Sequence, residues 1–215
     1  MLNVDPYSKG NVYRARRFAL LKGILDDVLA RQPKCRVLDI GGNAKYWQTF
    51  GQDLDWNRVE VTLVNLEQEE AGHPRITSIV GDARDLREFP DLSFDVVYSN
   101  SVIEHVGLWH DMVRMANEVK RLAPRYFIQT PYYWFPVEAH ARVPFIHWLP
   151  EPIRVRMVMR RNCGYWPKQS DIGSATSIVQ SAILLDKSQM RFLFSDAEIV
   201  SEKALGLTKS LIAIK

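Results

Sequence analysis

The stretch VLDIGG, residues 37–42, decides the fold class. The short apolar run RVLDI (36–40) contains Asp39 and passes directly into Gly41-Gly42. An apolar run that ends in a glycine turn predicts a strand at the start of a β-α-β unit. Glycine lets the backbone approach a ligand closely, and the Asp39 carboxylate can accept a hydrogen bond from an ammonium or an amide.

The same rhythm continues along the chain. Apolar residues at helical spacing predict helices over 10–31 and 107–123. Strands that alternate with helical stretches predict a parallel, doubly wound sheet. The further predicted strands are VEVTLVN (59–65), RITSIV (75–80), FDVVYSN (94–100) and RYFIQT (125–130).

The rhythm changes near the end of the chain. Residues 198–214, EIVSEKALGLTKSLIAI, read as two strands joined by a short loop that contains Gly206. Such a pair is typical of a hairpin rather than of a crossover through a helix. We therefore predict an α/β fold: a doubly wound, seven-stranded, mostly parallel sheet with a C-terminal antiparallel hairpin, arranged as an α/β/α sandwich.

Composition and charge narrow the class of protein. The 215 residues are 47% hydrophobic and 25% charged, which excludes a disordered or fibrous chain. The net charge of +3 is unevenly spread, with −7 over residues 37–138 and +5 over residues 139–170. Two cysteines are too few for a disulfide framework, so we expect free thiols. We see no apolar leader and no apolar run long enough to span a membrane, and we therefore expect a cytoplasmic protein.

Polar residues follow several of the predicted strands, and the carboxyl ends of parallel strands meet at one edge of a sheet. Asn65 and Glu67 at the second strand offer acceptors for ribose hydroxyls. In GDARDL (81–86), Asp82 can accept from an adenine amine while the backbone of Ala83 reads the ring edge. The fourth strand contributes Ser99 and Asn100.

Taken together, these motifs resemble the class I, Rossmann-like S-adenosylmethionine (SAM) dependent methyltransferases. The order is strand-D-x-G, strand-polar, G-D-A and then FDVVYSNSVIEHV (94–106), and the resemblance covers most of 35–130 and 195–215. It implies SAM as cofactor and S-adenosylhomocysteine (SAH) as product. By resemblance, Asp39, Gly41 and Gly42 border the methionine part, Asn65 or Glu67 holds the ribose, Asp82 and Ala83 recognise adenine, and Ser99 and Asn100 flank the sulfonium.

The resemblance also implies the division of the chain. We expect residues 1–215 to be a single methyltransferase domain, with residues 1–32 as an N-terminal helical lid. Residues 131–185 show no strand–helix alternation and are expected to be an insertion that forms the acceptor side.

Two departures from the family pattern keep an alternative open. Asn43 and Lys45 replace the second and third glycines of D-x-G-x-G-x-G; asparagine tolerates positive φ, and we expect Lys45 to point away from the cationic cofactor. Asn65 stands where an acidic residue is usual, so its ribose bond lacks charge assistance. The alternative is a SAM-binding module without transferase activity, acting as a partner subunit. A dehydrogenase is disfavoured, since G-x-G-x-x-G is missing.

Histidines suggest how an acceptor is activated, because a hydroxyl acceptor must lose its proton. The catalytic candidates are Glu104, His105 and His140. His105 is either a general base or a partner of Glu104 that holds the loop, and His147 is a second candidate base besides His140. Glu138 is placed to pair with His140. We expect His110 to be a surface residue.

The acceptor side is predicted from aromatic and basic residues. Aromatic residues concentrate between 126 and 148, where Tyr132 and Tyr133 either line a pocket or pack. The basic run 152–161 is either a solvated helical face or a lip that holds an anionic acceptor or touches a membrane surface. We expect a small-molecule or glycan- or lipid-linked acceptor, with oxygen favoured over nitrogen or carbon and nucleic acid disfavoured. The sequence does not indicate the oligomeric state.

No metal site is expected from spacing. His105 and His110 are five positions apart and His140 and His147 seven apart, which does not match the spacing of two ligands on one helix. Residues 131–137 supply no carboxylate of the kind that metal-dependent catechol-type methyltransferases use.

Overall fold

The computed structural model describes residues 11–215 and confirms the predicted sheet. Its order is β3-β2-β1-β4-β5-β7-β6, with β1 parallel to β2 and β4, and β2 parallel to β3. Reciprocal backbone hydrogen bonds between Tyr126 and Lys215 mark the antiparallel pairing at the C-terminal end. The strands are β1 (Cys35–Ile40), β2 (Val59–Asn65), β3 (Ile76–Val80), β4 (Val96–Asn100), β5 (Arg125–Pro131), β6 (Glu198–Ala204) and β7 (Leu207–Ile214).

Six α-helices accompany the strands in the described part of the chain. The two helices predicted from apolar spacing are confirmed with slightly shorter bounds. A third helix covers most of the basic run 152–161, for which a solvated helical face was one of the two interpretations, and the other three helices were not predicted. They are α1 (Val12–Leu29), α2 (Ala44–Phe50), α3 (Trp109–Leu122), α4 (Glu151–Arg160), α5 (Ile172–Gln180) and α6 (Lys187–Leu193).

Helix α1 forms because its apolar residues recur on one face. The Asn11 side chain caps its first turn by accepting from the Arg14 backbone N–H at 3.2 Å. Phe18, Leu21 and Leu25 are buried, and the helix packs against β1 and β4. Strand β1 is buried along nearly its whole length, as a central parallel strand covered on both faces must be.

The described residues group into two compact units. The first comprises residues up to Asn100 together with 114–128 and 214–215, and the second comprises 101–113 and 129–213. The second unit has its own apolar cluster, which includes Ile146, Val158 and Trp166. The lid over 1–32 and the acceptor-side insertion over 131–185 stay predictions, and residues 1–10 of the lid lie outside the described residues.

Two simpler expectations can be compared with the structure directly. Cys35 and Cys163 are both buried free thiols, as predicted. Among residues 11–215, no helix combines the length and the apolar character that crossing a membrane requires.

Candidate functional site

The loop after β1 depends on glycine at two positions for two different reasons. Gly41 has φ +71°, a conformation that side-chain-bearing residues rarely adopt. At Gly42, a Cβ would lie 1.9 Å from Oδ2 of Asp39. The Asn65 side chain donates to the Gly42 carbonyl at 2.9 Å. This bond connects the loop to the end of β2 and stabilises the conformation of the loop.

Asn43 has a different role from the one its glycine-like tolerance suggested. Its φ is −144°, which is extended backbone, so the expected need for positive φ is wrong. Instead it is the N-cap of α2, and its side chain accepts from the Lys45 backbone N–H at 2.8 Å. Lys45 itself is exposed.

The Asp39 carboxylate is held in the interior at the end of β1. It is 1% exposed, and Oδ2 accepts from the Trp47 indole N–H at 2.7 Å. Oδ1 is buried and has no hydrogen-bond partner within the part of the chain that the structure describes. Burial raises the pKa of Asp39 to about 8, against a smaller lowering by the Trp47 bond. A buried acceptor with one oxygen unpaired is a candidate contact for a cationic ligand group.

Asp39 is expected to make the unliganded protein less stable as the pH rises. Its pKa is near 3.9 when unfolded and about 8 when folded. Between those values the folded chain holds an extra proton, so stability falls with a slope of up to about 1.4 kcal/mol per pH unit. This contribution is fully present below the unfolded pKa and is lost as the pH passes through the folded pKa. Thermal unfolding from about pH 5 to about pH 9 should show a flatter profile for Asp39→Asn; parallel profiles would contradict the assignment.

A chain of polar side chains continues from the end of β4 beside this aspartate. The Tyr98 hydroxyl donates to that of Tyr46 at 2.7 Å, and the Asn100 amide donates to Tyr98 at 3.1 Å. Arg17 donates to Asn100 Oδ1 at 2.9 Å. The rings of Tyr46 and Tyr98 stack at 5.6 Å, and burial raises the pKa of both hydroxyls. Both tyrosines are therefore neutral hydrogen-bonding groups near neutral pH.

These side chains surround a pocket in the first unit, at the carboxyl ends of β1 and β4 where the strand order reverses. In open α/β sheets this is where ligands bind. The lining residues are Arg14, Asp39, Gly41, Gly42, Asn43, Tyr46, Tyr98 and Asn100.

In the second unit, the structure brings together three of the residues predicted to be catalytic. Glu104, His105 and His140 each place a nitrogen or oxygen within 4.8 Å of the other two. The two imidazole rings are nearly perpendicular, with centroids 4.7 Å apart. Glu104 is buried, His140 is half-buried and His105 is exposed. We call these three residues the EHH cluster.

Each member of the EHH cluster is oriented by a neighbour. His140 Nδ1 contacts Glu138 Oε1 at 2.7 Å, which confirms the predicted pair. His105 Nδ1 lies 2.7 Å from the Ser181 carbonyl oxygen. Glu104 Oε2 accepts from the Thr130 hydroxyl at 3.0 Å. Its Oε1 is buried, and none of the described residues offers it a hydrogen bond.

Electrostatics in and around the cluster follow from this arrangement. Burial raises the pKa of Glu104. For His140 burial alone would lower the pKa, but the hydrogen bond and charge of Glu138 outweigh it and raise the pKa. Burial would likewise raise the pKa of Glu138, but the bonds it accepts from His140 and the adjacent backbone lower it.

Comparison with known proteins finds a methyltransferase domain within the chain. Residues 37–125 match the family model described as "Methyltransferase domain". This segment is a SAM-dependent methyltransferase domain with the class I, Rossmann-like fold. Its cofactor is SAM. Every residue that lines the pocket at the carboxyl ends of β1 and β4, except Arg14, lies within the matched segment. A search of the curated proteins finds no match.

Solved structures agree on the fold of this methyltransferase and leave its acceptor open. It is similar to a SAM-dependent methyltransferase from Methanosarcina mazei, with 13% identity over 88% of this chain and 96% of that one and a TM-score of 0.51. It is also similar to magnesium protoporphyrin IX methyltransferase from Synechocystis PCC 6803 with bound SAH. The identity is 14% over 94% of this chain and 83% of that one, and the TM-score is 0.52. A third similar structure is the CurJ carbon methyltransferase, with 14% identity over 92% of this chain and 53% of that one and a TM-score of 0.55.

Several predicted cofactor residues of the methyltransferase lie outside the pocket lining. Glu67 is exposed, and Ser99 is fully buried with its hydroxyl donating to the Ile40 carbonyl at 3.0 Å. Asp82, next to Ala83, forms an ion pair with Arg84 at 2.6 Å, and the hydrogen bonds from Arg84 lower the pKa of Asp82. The roles assigned to these residues by resemblance stay predictions.

The other histidines and aromatic residues separate into surface, loop and core positions. The His110 side chain is exposed, as predicted. His147 Nε2 lies 2.7 Å from the Tyr133 carbonyl oxygen, a contact that holds its loop. Tyr126 and Phe127 are fully buried core residues, so the predicted aromatic acceptor stretch does not begin with them.

Sequence reasoning missed four residues that line the pocket and the way in which the EHH cluster assembles. Arg14, Asn43, Tyr46 and Tyr98 were not assigned to the cofactor, although all four lie in or next to segments that the sequence analysis described. The spacing test for a metal compared histidines close in sequence, whereas His105 and His140 meet from distant parts of the chain.

Proposed function

We propose that this methyltransferase transfers the methyl group of SAM to a hydroxyl oxygen of an anionic small-molecule or glycan- or lipid-linked acceptor. The observation that carries the choice of oxygen is the EHH cluster, in which a buried carboxylate and two oriented imidazoles converge. An oxygen acceptor must lose a proton as it is methylated, and groups of this kind remove protons. The family match supports an active transferase over a SAM-binding partner subunit.

The pocket in the first unit offers a carboxyl group and a guanidinium for the two ends of the amino acid part of SAM. The unpaired Oδ1 of Asp39 suits the ammonium group. Arg14, which also lines the pocket, suits the carboxylate. The backbone at Gly41 and Gly42 leaves room for close approach. The cofactor is thus oriented by charge as well as by shape.

Adenine recognition is assigned to the loop after β3, through Asp82. Asp82→Asn is expected to weaken SAM binding by about tenfold, since a charge-assisted hydrogen bond contributes about 1.5–3 kcal/mol and Asn retains part of it. The matched control is Asp85→Asn, because Asp85 pairs with Arg87 at 2.6 Å just as Asp82 pairs with Arg84. Calorimetric titration with SAM measures both. Equal losses for the two variants would show a general effect of loop charge and contradict the assignment.

The chemical step is an in-line displacement at the methyl carbon. An oxygen lone pair of the acceptor forms the new O–C bond while the S–C bond breaks and its electron pair stays on sulfur. The sulfonium becomes the neutral thioether of SAH, and the hydroxyl proton leaves the acceptor. We assign the removal of that proton to the EHH cluster, whose first member lies four residues beyond Asn100 in the chain.

An anionic acceptor is favoured by the basic stretch 139–170 of the second unit. Helix α4 presents Arg156 and Arg160 to solvent, and Arg161 follows at its end. Residues 139–170 together carry a net charge of +5. Such a surface attracts anions and also suits contact with an anionic membrane surface.

The buried free thiols Cys35 and Cys163 support the cytoplasmic location that we propose.

The direct test is SAH formation from SAM with a panel of hydroxyl, amine and activated-carbon acceptors, each in an anionic and a neutral form. We expect turnover with an anionic hydroxyl compound. Turnover confined to amines or carbon acids would contradict the choice of oxygen, and preference for neutral compounds would contradict the choice of charge. SAM binding without turnover on any member would favour the partner-subunit alternative.

A further inference from the structure

We propose that the EHH cluster is a binding site for one divalent transition-metal ion of the zinc and cobalt type. Glu104, His105 and His140 present one carboxylate and two imidazoles whose ligand atoms all lie within 4.8 Å of one another. Three protein ligands of this kind leave further positions on the ion open for water or substrate. The spacing argument against a metal does not apply here, because the ligands come from distant parts of the chain.

The hydrogen bonds of the two histidines are those of metal ligands. In each ring Nδ1 is engaged by an oxygen at 2.7 Å, from Glu138 in one case and from the Ser181 carbonyl in the other. Each contact places the ring proton on Nδ1 and leaves the lone pair of Nε2 available. Carboxylate and carbonyl partners of this kind set the tautomer and orientation of metal-bound histidines.

The carboxylate supplies a second, independent observation. Glu104 is 1% exposed, and its Oε2 accepts from the Thr130 hydroxyl. Oε1 is buried and has no hydrogen-bond partner among residues 11–215. A buried carboxylate oxygen with no partner is costly, and a cation between it and the two imidazoles would remove that cost. A bound cation would therefore give the Glu104 carboxylate the partner that it lacks, at the point where the three ligand groups lie close together.

Donor chemistry selects the class of metal, and exposure suggests its use. Imidazole nitrogens favour zinc or cobalt over magnesium, calcium or manganese, which prefer oxygen ligands. His105 is exposed, so the site is open to solvent. If the proposed function holds, the acceptor hydroxyl would bind there and lose its proton more easily. That role rests on the proposed function, whereas metal binding itself does not.

The experiment titrates the chelator-treated full-length chain with cobalt(II) chloride and follows the visible absorption of the ion. We expect one Co²⁺ per chain with micromolar or tighter affinity, displaced by Zn²⁺ but not by millimolar Mg²⁺. His105→Gln and His140→Gln should each lower the affinity at least about 100-fold. Glu138→Gln should lower it about 10- to 100-fold by releasing the His140 ring. His110→Gln, which removes an exposed histidine, should leave it within about twofold.

Three results would overturn the proposal: no binding by the wild type, unchanged affinity in His105→Gln, or an equal loss in His110→Gln. Circular dichroism confirms that each variant is folded, and the exposed position of His105 keeps the test valid if His140→Gln does not fold. SAM calorimetry and turnover on the same samples separate the two proposals. Co²⁺ binding without turnover would leave the metal site standing, and turnover without Co²⁺ binding would leave the proposed function standing alone.

Discussion

Gly42→Ala is expected to weaken SAM binding by at least about 100-fold, a loss of about 2.7 kcal/mol. The added Cβ would lie 1.9 Å from Oδ2 and 2.1 Å from Cγ of Asp39. No rotation of the alanine relieves this clash, because Cβ is fixed by the backbone. Either Asp39 breaks its bond to Trp47 or the loop shifts, and both changes disturb the pocket. Overpacking of this kind also costs about 1–3 kcal/mol of stability.

The matched control is Gly23→Ala on the exposed side of α1. A Cβ there meets nothing within 4 Å. Alanine in a helix interior is favoured over glycine by about 0.5–1 kcal/mol, so this variant should be slightly more stable with unchanged SAM affinity. Calorimetry and thermal unfolding measure both variants. Wild-type affinity in Gly42→Ala would show that the loop after β1 is not part of the cofactor site.

Glu104→Gln is expected to lower kcat by roughly 10²- to 10⁴-fold, the usual contribution of proton transfer by a positioned side chain. Glutamine keeps the shape of the side chain and can still accept from Thr130, so the fold should be retained. It removes the negative charge that converges with His105 and His140. The affinity for SAM should stay within about twofold, since Glu104 is not among the residues that line the pocket.

Glu198→Gln is the control for charge removal alone. Glu198 begins β6 in the second unit and is exposed. Its kcat should match that of the wild type with any acceptor from the panel. A Glu104→Gln enzyme that turns over at the wild-type rate would contradict the assignment of proton removal to the EHH cluster, and a raised KM for SAM with unchanged kcat would place Glu104 in cofactor binding instead.

The sheet was predictable because its strands are buried on both faces. The β2 bounds agree with the predicted 59–65, and β1 starts only one residue before the predicted 36–40. Buried parallel strands are short apolar runs bounded by turn residues, a pattern that the sequence displays locally. The short helices α2, α5 and α6 were missed because fewer than three turns carry little periodic signal.

The two sites were predictable to different degrees. The first site includes Asp39, Gly41 and Gly42, which lie close together in sequence, so a motif was enough to name them. Tyr46 and Tyr98 reach the pocket only because α2 and β4 pack together, which local pattern does not show. The members of the EHH cluster were each named as candidates, but the meeting of His105 with His140 is a long-range contact of the folded chain.

The uneven charge along the chain is divided between the two units. Part of the acidic middle segment lies in the first unit, where Asp39 lines the pocket. The basic stretch 139–170 lies in the second unit and includes α4. A cationic cofactor and an anionic acceptor are the partners that these charges favour.

A crystal structure of the chain with SAH tests the account most directly. We predict SAH in the pocket at the ends of β1 and β4, with its ammonium about 3 Å from an Asp39 oxygen, its carboxylate facing Arg14 and its adenine beside Asp82. SAH bound elsewhere, or held with its ammonium away from Asp39, would contradict the proposed cofactor site and the catalytic assignment built on it.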